Sequence, residues 1–224
     1  AYLSFSNKKP TVFLLDLDTK KEKTLGNFSG MSFAPRFSPD NEKIIFSLTK
    51  SGSSNIFIQK LSNDKTIQIT NNRYINTSPS FSPDNKWIVF SSDRSGKQNL
   101  YIKKSDDGIS KKAKRITFGG GSYATPVWSP RGDYIAFTKT YRNEFFIGLI
   151  KKDGSGERII ATGYLTESPS WSPNGRTLIF NKIYKSNNKL VSSLFTIDIT
   201  GNLEKKLDTP GEASDPDWGP SINY

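Results

Sequence analysis

Few side chains in this chain are equipped for covalent chemistry. It has no histidine and no cysteine, which removes the serine–histidine–aspartate triad, the histidine metal site and the thiolate nucleophile or zinc ligand together. Ser155, within Gly154-Ser155-Gly156, reads as a turn residue and not as the strand-to-helix elbow of a nucleophilic serine. Phe118-Gly119-Gly120-Gly121-Ser122 is rich in glycine, but no helix signal follows it, so its amides lack the helix N-terminus that completes a phosphate cradle. One carboxylate pair, Glu167 and Asp215, could converge as general acid and base. Carboxylates on loops are ordinarily solvated, and the chain reads as a non-enzyme with no cofactor and no resident metal.

The elements that would position these residues repeat. The phrase Pro-x-aromatic-Ser/Gly-Pro occurs as Pro35-Arg36-Phe37-Ser38-Pro39, Pro79-Ser80-Phe81-Ser82-Pro83, Pro126-Val127-Trp128-Ser129-Pro130, Pro169-Ser170-Trp171-Ser172-Pro173 and Pro216-Asp217-Trp218-Gly219-Pro220, at periods of 44, 47, 43 and 47 residues. Each of the first four phrases contains a short innermost strand and leads through a turn into a near-continuous apolar strand such as Trp87-Ile88-Val89-Phe90-Ser91, then two further strands separated by polar turns. A period of roughly 40–50 residues built from short strands is the mark of a β-propeller, one four-stranded antiparallel blade per repeat. The fold class is therefore all-β. The turn after each phrase needs a residue tolerant of positive φ, and Asn41, Asn85, Gly132 and Gly175 stand at that offset. The phrase aromatics Phe37, Phe81, Trp128, Trp171 and Trp218 are expected to wedge between blades.

Residues 1–224 read as a single propeller domain, with blades at about 35–78, 79–125, 126–168 and 169–214 and blade fragments at 1–34 and 215–224. The first fragment begins inside a second strand and the last supplies an innermost one, so the two could share a blade and close the ring. That gives material for five blades. Ala1-Tyr2-Leu3-Ser4-Phe5 is not a signal peptide. Without an initial Met, the chain is expected to be a processed or trimmed product.

The net charge of +11 raises nucleic acid as a partner. The lysine runs (Lys20-Lys21-Glu22-Lys23, Lys103-Lys104, Lys111-Lys112-Ala113-Lys114-Arg115, Lys151-Lys152 and Lys205-Lys206) fall at outer strands and their turns. Lysines there block edge pairing. They are expected to ring the perimeter, with no nucleic acid bound.

The connections just before each repeated proline are expected to open on one face around the central channel. They are rich in adaptable contact residues: Met31, Phe33 and Ala34; Tyr74, Asn76 and Thr77; Tyr123 and Thr125; Glu167; and Asp215. Such residues around a concave mouth suit protein recognition. The residues alone also leave open a sensory or carbohydrate-binding propeller with a cation on the channel axis, or the non-catalytic propeller of a peptidase-like protein.

The phrase with its following Asp/Asn-Gly/Asn turn and Ile-Ala/Val-Phe strand resembles the repeat of the TolB family of the Tol–Pal system, along essentially the whole chain. Ser78-Pro79-Ser80-Phe81-Ser82-Pro83-Asp84, Ser122-Tyr123-Ala124-Thr125-Pro126-Val127-Trp128-Ser129-Pro130-Arg131-Gly132 and Asp215-Pro216-Asp217-Trp218-Gly219-Pro220 carry the likeness. The resemblance implies an N-terminal α/β domain, absent from this chain, followed by a six-bladed propeller. Residue 1 would then fall inside the second blade of a longer protein, a five-bladed ring being the alternative. It further implies a non-enzymatic scaffold in the periplasm of a Gram-negative bacterium, peripheral to membranes through its partners. Those partners would be the peptidoglycan-associated lipoprotein Pal and other Tol proteins such as TolA, in outer-membrane integrity and cell division. Family contacts to Pal map to Ala34, Met31 and Thr77; where the family can carry histidine, this chain has Met31.

Overall fold

The computed structural model describes residues 1–5, 9–26 and 28–219, and every helix or strand among them is a strand. Five antiparallel sheets follow one another along the chain as the blades of a propeller. The first is three-stranded, β1 (Tyr2–Ser4), β2 (Thr11–Leu15) and β3 (Glu22–Thr24). The second comprises β4 (Met31–Phe37), β5 (Lys43–Lys50), β6 (Ser53–Lys60) and β7 (Thr66–Gln68). The third has β8 (Asn76–Phe81), β9 (Trp87–Ser92), β10 (Asn99–Lys104) and β11 (Lys114–Arg115). The fourth has β12 (Ser122–Trp128), β13 (Ile135–Tyr141), β14 (Glu144–Ile150) and β15 (Arg158–Gly163). The fifth has β16 (Leu165–Trp171), β17 (Thr177–Ser186), β18 (Lys189–Asp198) and β19 (Lys205–Lys206).

The second strand of each blade explains why the sequence reads as continuously apolar there. Side chains alternate faces along a strand, and here both faces are covered. Ile44 and Phe46 of β5 pack toward the first sheet, whereas Ile45 between them packs toward the third. Ile88 and Phe90 of β9 join the same layer as Ile45, and Val89 joins the next one with Ile135 and Phe137. Ala136 faces the fifth sheet with Leu178 and Phe180. The core is thus four apolar layers, each between consecutive blades.

Three phrase aromatics seal these layers. Phe81, Trp128 and Trp171 are buried, each within the layer it shares with the preceding blade, and the Trp171 indole donates to the Val127 carbonyl at 3.1 Å. Phe37 and Trp218 depart from the expected wedge, being 45% and 39% exposed. The sheet preceding Phe37 is three-stranded and has no innermost strand in its ladder to cover the ring.

The turn chemistry follows the sequence. Asn41, Asn85, Gly132 and Gly175 all have positive φ, and each amide donates to the carbonyl of the phrase serine. The serine hydroxyls at 38, 82 and 172 also take the amide at the start of the second strand, from Lys43, Trp87 and Thr177 at 2.9–3.0 Å. This is why the phrase needs a small hydroxyl residue there, and all four serines are buried.

The last phrase does not complete the first sheet. Residues 215–219 enter no ladder with β1, and Pro220, which ends the phrase, lies outside the described residues together with 221–224. Pro216 has no amide to donate. Asp217 accepts from its neighbour Trp218 and from Ser170 Oγ of β16 at 2.6 Å, so the segment leans on the fifth blade.

Candidate partner-binding face

The connections expected before the first four prolines run into strand, whereas the segment before Pro216 does not. The innermost strands begin well ahead of the phrase and are interrupted at x-Pro. Phe33 pairs with Ser47 and Arg36 with Ile45, so Ala34 and Pro35 together oppose Phe46. The same offset sets Ser78-Pro79 against Phe90, Thr125-Pro126 against Phe137 and Ser168-Pro169 against Phe180. Proline cannot donate to a ladder, so the strand bulges there, two residues opposite one, and bends. Each opposing phenylalanine is fully buried.

The residue before each proline is left-handed in all five copies: Ala34, Ser78, Thr125, Ser168 and Asp215 have φ between 44° and 56°. None is glycine. Such a backbone costs on the order of 1–3 kcal/mol per residue and persists only where the surroundings over-determine it. In the first four copies the buried phenylalanine on one side and the proline on the other fix it. The register sets the first half of each innermost strand, residues 31–34, 76–78, 122–125 and 165–168, against the end of the second strand, so it lies at the end of the propeller where the second-to-third-strand hairpins lie.

The expected contact residues divide into two groups. Met31 is exposed at the start of β4, and Phe33, Ala34, Tyr74, Thr77, Thr125 and Glu167 are half-buried. Asp215 is exposed and accepts a long bond from Ser168 Oγ at 3.4 Å. Asn76 and Tyr123, by contrast, have no exposed surface. The Asn76 amide donates to Ser54 O and Asn72 Oδ1, both at 2.8 Å, and its oxygen accepts from Arg94 Nη2 at 2.7 Å. Tyr123 donates to Glu157 Oε1 at 2.8 Å, which also takes Lys139 Nζ at 2.7 Å. Burial opposes the Lys139 charge, but the bonds to Glu157 and Tyr123 outweigh it and hold the ammonium above the ordinary lysine value. A Cβ on Gly119 would meet the Tyr123 hydroxyl, so the glycine-rich segment serves this close approach.

One feature of this end is invisible in the spacing. Arg94, which reads as a polar hairpin residue, lies over the rings of Tyr101 at 4.5 Å and Phe90 at 5.4 Å and locks Asn76. Of Glu167 and Asp215, the one carboxylate pair with a potential chemistry, Glu167 feels the charge of the other. Burial first, and the Asp215 charge second, push the Glu167 carboxyl up. Among the described residues no group of three or more His, Cys, Asp or Glu side chains gathers.

The sequence profile described as the TolB beta propeller domain matches residues 1–222. The chain is 45% identical over 223 residues to the Tol-Pal system protein TolB of Gluconobacter oxydans, covering 98% of this chain and 49% of that protein. Against the Tol-Pal system protein TolB of Wolbachia from Drosophila simulans it is 54% identical over 109 residues, 49% of this chain and 25% of that one. The crystal structure of TolB from Acinetobacter baumannii superposes with a TM-score of 0.86 at 30% identity, over 99% of this chain and 54% of that chain. The chain thus spans about half the length of the Gluconobacter relative it matches end to end. On its repeat, its blades and this profile, the chain belongs to the TolB β-propeller family.

Proposed function

We propose that this propeller is a non-enzymatic, periplasmic protein-binding scaffold of a Gram-negative Tol–Pal complex. It receives the peptidoglycan-associated lipoprotein at the end where the innermost strands begin. Through TolA and other Tol proteins it would link inner and outer membranes during envelope constriction. The observation that carries the reading is the bulge repeated on the four innermost strands. It presents Met31, Ala34 and Thr77 on neighbouring innermost strands, where their side chains keep exposed surface. The identity to a Tol-Pal system protein along 98% of the chain supports it.

The test is calorimetric titration of a soluble Pal domain against the chain. Met31→Arg and Thr77→Arg each place a charge in the contact and are expected to weaken binding at least tenfold. Lys20→Ala, on the hairpin of the first sheet, serves as the neutral control. Tyr123 is unsuited as a probe because it is buried and its loss would disturb the fold itself. Parent-like affinity in both arginine variants rejects the site.

A further inference from the structure

The lysine runs do not ring the perimeter evenly. Three of the five gather around one groove of about 610 Å³. It lies at the junction of the third and fourth blades, at the end opposite the bulges. It is built from Trp87 at the head of β9, the β10–β11 connection, the β12–β13 turn and the β14–β15 connection. Its size is that of a small-molecule site, roughly 300–1,000 Å³. Seven lysines and three aspartates line it, with no arginine; the ammonium of buried Lys103 turns away to the Ile69 carbonyl at 3.1 Å, which leaves six to face the groove.

The aspartates offset little of this charge. Asp107 pairs with Lys111 at 3.4 Å, Asp133 with Arg131 at 3.3 Å, and Asp153 accepts from Ser155 in its own turn. Lys112, Lys114 and Lys151 are exposed and pair with no carboxylate among the described residues. The Trp87 ring holds two more ammoniums, Lys152 Nζ at 3.7 Å and Lys104 Nζ at 6.0 Å from its centroid. An ammonium held by an indole face is positioned without being neutralised. Positive charges thus converge on a concavity with an aromatic floor.

We propose that this groove binds the phosphate groups of a phosphorylated ligand. Lysine ammoniums are compact point charges with three rotatable donors and suit tetrahedral phosphate from several directions, whereas carboxylates are matched best by the planar arginine fork, which the groove lacks. The same chemistry would serve a soluble phosphate ester or the phosphate headgroup of a lipid.

The experiment uses the full chain with two probes, inositol hexakisphosphate by calorimetry and phosphatidylcholine vesicles doped with phosphatidic acid by co-sedimentation. The groove variant Lys112→Ala/Lys114→Ala/Lys151→Ala is compared with Lys20→Ala/Lys21→Ala/Lys50→Ala, which removes equal charge elsewhere. At least tenfold weaker binding in the groove variant, with less than twofold change in the control, supports the site. The probe that answers assigns the source, soluble or lipid. Equal losses in both variants would mean a diffuse field and overturn the proposal. So would no binding of either probe, or polyglutamate binding as tightly as the phosphates, which would mark an acidic-peptide site.

Discussion

The carboxylate of Asp217, in the last copy of the repeated phrase, lies 3.7 Å from the guanidinium of Arg36, in the first. Each stands directly after the phrase proline, so equivalent positions of the two outermost copies meet. Both side chains are more than a third exposed, and ion pairs of that kind are worth about 0–1 kcal/mol. Asp217→Asn should therefore lower unfolding free energy by less than about 1 kcal/mol in urea. Trp171→Ala, which opens a buried layer, should lose about 3–5 kcal/mol. Comparable losses would mean that the Arg36 contact, and not blade packing, holds the two ends together.

The bulges make a prediction of the opposite sign. Ala34 has a φ of 52°, a conformation that disfavours any residue with a Cβ by roughly 1–2 kcal/mol. Glycine removes that penalty but adds freedom to the unfolded chain, worth roughly 0.5–1 kcal/mol. Ala34→Gly should raise the urea midpoint, by a net of about 1 kcal/mol or less, with an unchanged slope. A lower midpoint would show that the left-handed backbone is not strained at this position.

How much of this was legible in the sequence depends on where each residue's partners lie. The period, the strand order and the turn glycines and asparagines were readable because their causes are local: a proline, a left-handed corner, a short continuous apolar run. The upstream halves of the innermost strands were not. Ser78-Pro79 and its counterparts break both the alternation and the ladder, so a continuous strand reads as a loop followed by a stub. Asn76 and Tyr123 look like exposed contact residues because their bonds come from Ser54, Arg94 and Glu157, far away in sequence. The lysine groove was hidden for the same reason, since its charges reach one place from separate connections.

Glu167 gives a pH dependence. Burial first and Asp215 second hold its carboxyl above the usual range. A carboxyl whose pKa is higher folded than unfolded binds its proton more tightly in the folded state. Its contribution is most favourable below the unfolded value, about 4.3, and is lost as pH rises through the folded value. Glu167→Gln keeps the shape without the charge. It should melt at a higher temperature than the parent at neutral pH, and the two should converge in acid below the ordinary glutamate range. A parent that is the more stable at neutral pH would mean that the Glu167 charge is satisfied by a contact that glutamine cannot make.

Arg94 couples stability to the end proposed to bind a partner. Its guanidinium lies on Tyr101 and Phe90 and donates to Ser92 Oγ at 3.0 Å and to buried Asn76 at 2.7 Å. Burial holds its pKa below the ordinary arginine value. Removing it strips a charge-assisted bond from a buried amide oxygen and a cation from two aromatic faces. Arg94→Ala should therefore cost about 2–4 kcal/mol by urea unfolding. Arg94→Lys should recover less than half of that, because an ammonium cannot lie flat on the Tyr101 ring while forking to Ser92 and Asn76. Full rescue by lysine would reduce the residue to a point charge, and the planar stack would then contribute nothing. Asn76 adjoins Thr77 on β8, so under the proposed function the alanine variant should also weaken Pal-domain binding, and the lysine variant should weaken it less.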